Sequence, residues 1–246
     1  MPYNQKPEMI LFDVGGTLFK GGNFSAKNGL AALRLAALNP QQTTDDELAA
    51  LWDEYSEKIG SGHKSPTGVK LDFPLSAQLK YITMNAGLQF DISTAEQEEI
   101  FDRHNSSRRV IDGVPELLDT IRSLGIRAAI ISNNAMSGEG LKLAIRQWIP
   151  DEKMEFVLTS ADLLLTKPCA DIFWTAAKYA HLDPTQCWYC GDSKEADVDG
   201  AFAAGMTPVL IDANAKTPYE FRADGDKEYL TVNHWKELTN HLKTHF

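Results

Sequence analysis

Long apolar runs are missing from this chain. None reaches the roughly 18 residues that a membrane-spanning helix needs, so we expect no membrane partner. The N-terminal stretch MPYNQKPE lacks the apolar core of a signal peptide. Cysteine is also scarce, because the chain has only 3, at positions 169, 187 and 190. An odd, small number fits a reducing cytoplasm better than a disulfide framework, so we expect a cytoplasmic protein.

Basic residues are outnumbered: 24 Lys and Arg stand against 34 Asp and Glu, which gives a net charge of -10. Non-specific nucleic-acid binding needs basic patches that neutralise phosphates, so we expect no nucleic-acid partner. The 246 residues, 43% of them apolar, can bury a full core as one large domain or a domain plus an insert. Oligomeric state is not predicted from these features.

Cys187 and Cys190 form a CxxC pattern, which raises the question of redox chemistry. They lie in the apolar run CWYC, which predicts a short buried strand. Residues three apart on a strand point to opposite faces, so the two thiols should diverge. We interpret both as buried packing residues.

Short apolar runs alternate with helical patterns along most of the chain. This alternation predicts an α/β fold with a doubly wound, Rossmann-like parallel sheet. The apolar runs are residues 9–12, 126–132, 156–160, 187–190 and 207–211, and the helical patterns between them are 114–124, 171–182 and 195–205.

The stretch 21–112 differs, because it has four helical patterns and no convincing strand pattern. The helical patterns are roughly residues 26–38, 45–59, 75–86 and 94–108. We therefore predict a core domain formed by residues 1–20 and 113–246, interrupted by an all-helical cap domain, residues 21–112.

Chemically active side chains follow the predicted strands. Asp13, Ser132 with Asn133, and Asp192 each stand where a strand ends, and Lys167 lies in a loop. Because open parallel sheets bind ligands beyond the carboxyl ends of their strands, we expect these groups to meet at one edge. Carboxylates, a hydroxyl and a lysine together favour a site for phosphate and metal.

Four segments carry a family resemblance. LFDVGGTL at 11–18, IISNN at 130–134, Lys167-Pro168 and GDSKEAD at 191–197 resemble the four signature motifs of the haloacid dehalogenase (HAD) superfamily. Their order matches from residue 9 to about residue 211, with a helical cap between the first two motifs. Each motif alone is weak; four in order are specific.

The resemblance implies hydrolysis of a small phosphorylated substrate, with Asp13 as the nucleophile that forms an aspartyl-phosphate. It implies that Mg²⁺ is held by Asp13, the backbone carbonyl of Gly15 and Asp192, with Asp197 completing the metal shell or orienting its waters. The substrate would be bound by residues Ser132, Asn133 (through its backbone N–H), Lys167, Gly16 and Thr17.

The chain departs from the phosphatase pattern at one position. HAD phosphatases usually carry a second Asp two residues after the nucleophile, where it protonates the leaving oxygen; this chain has Gly15. General acid–base catalysis contributes about 10²–10⁴-fold in rate, or roughly 3–5.5 kcal/mol. The resemblance therefore leaves three interpretations open.

The first interpretation is a weak hydrolase of acyl or aryl phosphates, whose leaving groups need less protonation. In the second, the cap supplies the proton, with His63 and Lys64 in the stretch GSGHKSP as candidates. In the third, catalysis is lost and a Mg²⁺- and phosphate-binding protein remains.

Other chemistries are less consistent with the motifs. Haloacid dehalogenases typically have tyrosine at the position of Gly15, and Gly191-Asp192-Ser193 favours a metal site instead. Phosphonatases need a cap lysine, and none of Lys58, Lys64, Lys70 and Lys80 is singled out. DVGGT also resembles the phosphate loop of sugar kinases, but here it leads into helices.

Cap loops are expected to set specificity. Residues 60–70 and the turn near Gly21 are the candidates for substrate contact, and Gly21-Gly22 and the Gly113 region are candidate hinges for cap closure.

Overall fold

The computed structural model describes residues 2–59, 63–64, 70–71, 73–105, 107–150, 153–225 and 227–246. A sheet of 7 strands forms its centre. The strands are β1 Met9–Phe12, β2 Phe19–Lys20, β3 His63–Lys64, β4 Lys70–Leu71, β5 Arg109–Val110, β6 Arg127–Ser132, β7 Val157–Thr159, β8 Cys187–Gly191, β9 Thr207–Ile211, β10 Tyr219–Asp224 and β11 Lys227–Val232. The helices are α1 Ala26–Leu35, α2 Asp45–Ile59, α3 Leu75–Asn85, α4 Thr94–Asn105, α5 Val114–Ser123, α6 Gly138–Ile145, α7 Ser160–Leu163, α8 Ala170–Tyr179, α9 Gly200–Ala204 and α10 Trp235–His245.

The strand order in the large sheet is β10-β11-β9-β8-β1-β6-β7. All neighbouring strands run parallel except β10 and β11, which are antiparallel. The predicted doubly wound parallel sheet is confirmed. β1 lies between β6 and β8, so the chain crosses from one side of β1 to the other as the sheet is built. Open parallel sheets bind ligands at such a crossing point, beyond the carboxyl ends of the strands.

Both faces of β1 are buried, which is why it appears in the sequence as an uninterrupted apolar run. Ile10 and Phe12 join one apolar cluster, which includes Trp235 of α10. Met9 and Leu11 join a second cluster on the other face, which includes the inner side chains of α8. The alternation follows from the two-residue period of a strand.

The CWYC segment behaves as predicted. Cys187 packs in the second cluster and Cys190 in the first, so the two thiols lie on opposite faces of β8. Burial raises the pKa of Cys187 to about 11, and it raises that of Cys190 well above its ordinary value. Both side chains are therefore neutral, buried thiols.

The four helices predicted within residues 21–112 are present as α1 to α4, with the first and last ending three residues before the patterns do. The predicted all-helical insert needs one correction, because short strand pairs accompany the helices. β2 pairs with β5, and β3 pairs with β4, both antiparallel. Two-residue strands are too short to show a period, so sequence patterning does not reveal them.

Other elements were also absent from the predictions. The stretch after residue 211 forms β10, β11 and α10, and α6 follows the second motif. The helical pattern at 195–205 is divided into a π-helical turn, Lys194–Asp199, and α9. None of the helices in the described parts of the chain is long and apolar enough to cross a membrane.

Part of the predicted substrate-contact segment lies outside the described residues. Within 60–70, residues 60–62 and 65–69 lie outside the described residues, and His63, Lys64 and Lys70 are described only as backbone. Their assignment therefore stays a prediction.

Candidate active site

The carboxyl ends of three neighbouring strands bring the predicted residues together. Asp13 directly follows β1, Ser132 is the last residue of β6, and Asp192 follows β8. Phe12 is in register with Ile130 on one side and Cys190 on the other. Parallel pairing in this register places these strand ends side by side.

Lys167 forms the centre of the site. Its Nζ donates hydrogen bonds to Asp13 Oδ1 at 2.8 Å, Asp197 Oδ1 at 2.6 Å and Tyr189 Oη at 2.7 Å. Only 2% of its side chain is exposed. A buried ammonium is costly unless it is paired and hydrogen-bonded, and here three oxygens satisfy its three donors.

Asn133 positions Lys167 through the backbone. Its Oδ1 accepts from the Lys167 N–H at 2.8 Å, and its Nδ2 donates to the Lys167 carbonyl at 3.1 Å. The sequence predicts a backbone N–H of Asn133 as a phosphate ligand. The structure adds a role for its side chain, which holds the loop that carries the lysine.

Asp13 is buried and has two side-chain partners at one oxygen. Ser132 Oγ donates to Asp13 Oδ1 at 3.1 Å, the same atom that accepts from Lys167. Burial raises the pKa of Asp13, the Lys167 ammonium lowers it, and the nearby Asp197 carboxylate raises it again. The two hydrogen bonds place a hydroxyl and an ammonium at one oxygen of this carboxylate.

Three carboxylates converge here: oxygens of Asp13, Asp192 and Asp197 lie within 4.8 Å of one another. Burial, followed by the charges of Asp13 and Asp197, raises the pKa of Asp192 to about 6. The N–H of Ser193 donates to Asp197 Oδ2 at 2.9 Å and orients that carboxylate. Closely spaced, mutually repelling carboxylate oxygens fit a hard divalent cation such as Mg²⁺, which prefers oxygen ligands.

Gly16 makes room for this acidic group. A Cβ at Gly16 would lie 2.0 Å from Asp192 Oδ2, and its φ of +72° also favours glycine. Gly16 does not line the cavity above Asp13. Its side-chain-free backbone instead packs beside a carboxylate of the site.

Thr17 lies beneath the site, whereas the motif resemblance implies that it binds substrate. It is fully buried, it does not line the cavity, and its carbonyl accepts a hydrogen bond from Trp235 Nε1 at 2.8 Å. Because its side chain is inaccessible, the structure places Thr17 in the packing beneath the site and not at a substrate. Gly15 differs, since it lines the cavity and a Cβ there would meet nothing within 4 Å.

A cavity of about 620 Å³ lies between this group and the inserted helices. Small-molecule sites typically measure about 300–1,000 Å³, so the space holds more than a phosphoryl group. On one side it is lined by Asp13, Gly15, Ser132, Asn133, Lys167, Asp192 and Asp197. The inserted segment contributes lining residues that include Phe24, Trp52, Gln78, Phe101, Asp102, Asn105 and Arg108.

Three of these residues form an aromatic cluster: Phe24, Trp52 and Phe101. The rings of Trp52 and Phe101 are stacked, with centroids 5.3 Å apart and planes 22° apart. The Phe24 centroid lies 6.2 Å from that of Trp52 and 6.4 Å from that of Phe101. Gly29 of α1 permits this packing, since a Cβ there would lie 2.6 Å from the Phe101 ring.

Sequence reasoning missed the aromatic cluster, Tyr189 and the ion pair between Asp102 and Arg108. The cluster joins the segment before α1 with helices α2 and α4, so no local pattern indicates it. Tyr189 resembles any apolar strand residue, although its Oη also donates to the Ile131 carbonyl at 2.8 Å. Only its hydrogen bond with Lys167 Nζ in the folded chain reveals its role.

Comparison with known proteins agrees with this arrangement. The family model for haloacid dehalogenase-like hydrolases matches residues 10–211. The chain therefore belongs to the HAD-like hydrolase family. The family resemblance of the four motifs is confirmed.

Two relatives illustrate the range of this similarity. The chain is 34% identical over 110 residues to human haloacid dehalogenase-like hydrolase domain-containing protein 3, a match covering 44% of this chain and 42% of that protein. The chain thus spans less than half the length of this relative. It is 23% identical over 244 residues to glyceraldehyde 3-phosphate phosphatase of Methanopyrus kandleri, covering 93% of this chain and 94% of that protein.

Solved structures resemble the fold over nearly the whole chain. A 2-haloacid dehalogenase from Pseudomonas syringae pv. Tomato has a TM-score of 0.57 at 19% identity, covering 97% of this chain and 99% of that one. A putative HAD-hydrolase from Bacillus subtilis bound to magnesium has a TM-score of 0.53 at 19% identity, covering 97% of this chain and 100% of that one. At such low identity, these likenesses concern the fold alone.

Proposed function

We propose that this hydrolase is a Mg²⁺-dependent phosphatase that acts on a small phosphorylated metabolite through an aspartyl-phosphate on Asp13. The observation that carries the proposal is the Lys167 ammonium, which bridges Asp13 and Asp197 beside a third carboxylate, Asp192. The phosphoryl site is defined here as Asp13, Ser132, Lys167, Asp192 and Asp197. Similarity to a phosphatase over most of the chain supports the same chemistry.

The acidic group suits the proposed metal ion. Mg²⁺ would be held by Asp13, Asp192 and the Gly15 carbonyl, with Asp197 completing or orienting the shell. When bound, the ion would supply positive charge against the phosphoryl oxygens. The similar fold of a magnesium-bound protein is consistent with this assignment.

The protein groups define two chemical steps. In the first, an Asp13 carboxylate oxygen bonds to phosphorus, the bond from phosphorus to the leaving oxygen breaks, and the leaving group keeps the electron pair. In the second, water attacks phosphorus, the bond to Asp13 breaks, and the carboxylate is regenerated with release of phosphate. The water proton passes to solvent or phosphate. Lys167 and Ser132 lie within reach of Asp13 Oδ1, where they would stabilise charge on the transferring group.

The usual acid that protonates the leaving oxygen is absent from position 15. Gly15 carries no acid. Asp102 is the carboxyl that the inserted helices contribute to the described cavity lining, and although burial raises its pKa, its Oδ1 is engaged by Arg108. We therefore propose substrates whose leaving groups depart without a proton, such as acyl or aryl phosphates. This is the first of the three interpretations of the missing acid.

Domain organisation and setting are part of the proposal. We propose that residues 21–112 act as a cap over a core of 1–20 and 113–246. The β2–β5 pair joins the two connections near those boundaries. The free thiols support a cytoplasmic location, and the net charge of -10 supports a small molecule, not a nucleic acid or membrane, as partner.

The test is Mg²⁺-dependent release of phosphate from acetyl phosphate and phenyl phosphate. We expect Asp13→Asn to reduce the rate to that of buffer, because an amide is not a nucleophile for phosphorus. Asp53→Asn, a matched change at an exposed position of α2, controls for the loss of one negative charge. Equal rates for wild type and Asp13→Asn, both folded by thermal melting, would overturn the proposal. Halide release from 2-chloropropionate without phosphate release would identify a dehalogenase instead.

A further inference from the structure

We propose that the aromatic cluster of Phe24, Trp52 and Phe101 is a subsite for an aryl leaving group, so that the substrates are monoaryl phosphates. This inference rests on the proposed function, because the phosphoryl site must hold the phosphoryl group while the aromatic cluster holds the ring. It goes further by naming the chemical class of the leaving group.

The first support is continuity of the space. Asp13, Lys167 and the three aromatic residues line one cavity of about 620 Å³. A phosphoryl group bonded to Asp13 occupies only one end of that volume. The leaving group must extend toward the remaining walls, which include the aromatic cluster.

The second support is the unpacked surface of the rings. Phe101 is 1% exposed and supports Trp52 from below by stacking. Phe24 is 63% exposed, and Trp52 is half-buried. Large apolar side chains exposed in a cavity are a typical feature of ligand sites. A planar ring fits beside them because aromatic pairs prefer offset or edge-to-face arrangements.

The third support is the charge of the surrounding wall. Arg108 pairs with Asp102 through Nη2, which offsets its charge, while its buried Nη1 has no hydrogen-bond partner among the described residues. Gln78 and Asn105 line the same cavity and are uncharged. These two amides offer neutral hydrogen-bonding groups to polar substituents on a ring.

The fourth support is agreement with the missing acid at position 15. When phosphorus is transferred from an aryl ester to Asp13, the phosphorus–oxygen bond breaks and the phenolate oxygen keeps the electron pair. A phenol ionises at about pH 10, as tyrosine does, whereas a simple hydroxyl such as that of water ionises only at far higher pH. The phenolate can therefore leave without a protein proton and is protonated afterwards by solvent.

Binding of two non-hydrolysable probes isolates the ring from the phosphoryl group. With Mg²⁺ present, calorimetry should show that phenylphosphonate binds about tenfold more tightly than methylphosphonate. Phe24→Leu and Trp52→Leu should each reduce this ratio severalfold. Tyr179→Leu removes an exposed ring outside the cavity and should leave the ratio unchanged. The exposed Phe24 provides the variant least able to disturb folding.

Turnover gives a second, independent readout. Acetyl phosphate also has a good leaving group but no ring. The ratio of kcat/KM for phenyl phosphate to that for acetyl phosphate should fall in Trp52→Leu and stay constant in Tyr179→Leu. Equal affinity for the two phosphonates in the wild type would overturn the aryl subsite alone. Failure of both phosphonates to bind would overturn the phosphoryl site and the subsite with it.

Discussion

The side-chain amide of Asn133 holds the backbone of Lys167 at two points, accepting from its N–H at 2.8 Å and donating to its carbonyl at 3.1 Å. Asn133 directly follows β6, whereas Lys167 lies in the loop before α8. The two hydrogen bonds therefore fix the position of the ammonium relative to Asp13. A positioned charge contributes more to catalysis than a mobile one, because no reorganisation is needed during the reaction.

Asn133→Ala should impair turnover more than substrate binding. The variant loses both hydrogen bonds and lets the Lys167 loop shift, and a displacement of about 1 Å can cost on the order of 10²-fold in rate. We expect kcat for phenyl phosphate to fall about 10- to 100-fold. Steady-state kinetics tests this, with Asn214→Ala at an exposed position as control. A kcat equal to that of the wild type would show that Lys167 does not need this support.

Gly15→Asp should raise turnover of alkyl phosphates, whose leaving oxygen needs a proton. A Cβ at Gly15 meets nothing within 4 Å, so the side chain has room. A well-placed acid contributes about 10²–10⁴-fold, and we expect a gain toward the lower end for ethyl phosphate and little gain for phenyl phosphate. Gly21→Asp is the control, since Gly21 also lines the cavity and has open space. No gain in a folded Gly15→Asp variant would mean that another group already supplies the proton.

Asp192→Asn should stabilise the metal-free protein and remove its stabilisation by Mg²⁺. Asp192 repels Asp13 and Asp197, and its pKa is raised to about 6. Asp192 is only partly shielded from solvent, which screens this repulsion, so we expect a gain of only about 1 kcal/mol at neutral pH. In contrast, Mg²⁺ at ~100 times its Kd should stabilise the wild type by about 2.7 kcal/mol. Urea unfolding with and without Mg²⁺ measures both effects. Equal Mg²⁺ stabilisation of the two proteins would remove Asp192 from the metal site.

Glu98 of α4 joins the inserted helices to the rest of the chain. It is fully buried, its Oε2 accepts from the Ser137 N–H at 3.1 Å, and it also accepts from the Ser137 hydroxyl. Ser137 is the N-cap of α6, which follows the second motif. Burial raises the pKa of Glu98 above its ordinary 4.5, and the hydrogen bonds from Ser137 oppose this shift.

This raised pKa makes a prediction about stability and pH. The folded protein holds the Glu98 proton to higher pH than the unfolded chain does. The stabilisation that the protonated Glu98 gives the folded state is therefore fully present below pH 4.5. It is lost as pH rises through the raised pKa. Glu98→Gln cannot titrate, so the wild type should lose stability relative to this variant from pH 4.5 upward. The relative loss is about 1.4 kcal/mol for each pH unit between 4.5 and the raised pKa.

Urea unfolding of the wild type and Glu98→Gln at closely spaced pH values measures this difference. Glu57→Gln, at an exposed position of α2, controls for the removal of one carboxylate from the insert. A difference between wild type and Glu98→Gln that does not change with pH would contradict the assignment of Glu98 as a buried group with a raised pKa.

The strands and the order of site residues could be predicted because their signals are local. β1, β6, β8 and β9 are covered on both faces, so each is an apolar run that stands out between helical patterns. Residues at the ends of such runs must meet at one edge of a parallel sheet. Asp13, Ser132 and Asp192 could therefore be grouped before their distances were known.

Predictions failed where local sequence patterns do not show which residues become buried. β10 is only partly buried, so its sequence lacks the apolar run of a central strand. Thr17 shares a motif with Asp13 but is fully buried, and Trp235, 218 residues later, donates a hydrogen bond to its carbonyl. A motif specifies neighbours along the chain, and it does not specify which of them remain accessible.

The sequence by itself determined the parallel sheet, the helical insert and the set of carboxylates and lysine near the strand ends. These features could be predicted because apolar periodicity and motif order are local properties of the sequence. Only the tertiary structure decided that Asn133 holds Lys167, that Tyr189 completes the partners of its ammonium, and that three aromatic side chains from separate segments meet opposite Asp13. These arrangements depend on contacts between residues distant in the chain, which form only when sheet and insert pack together.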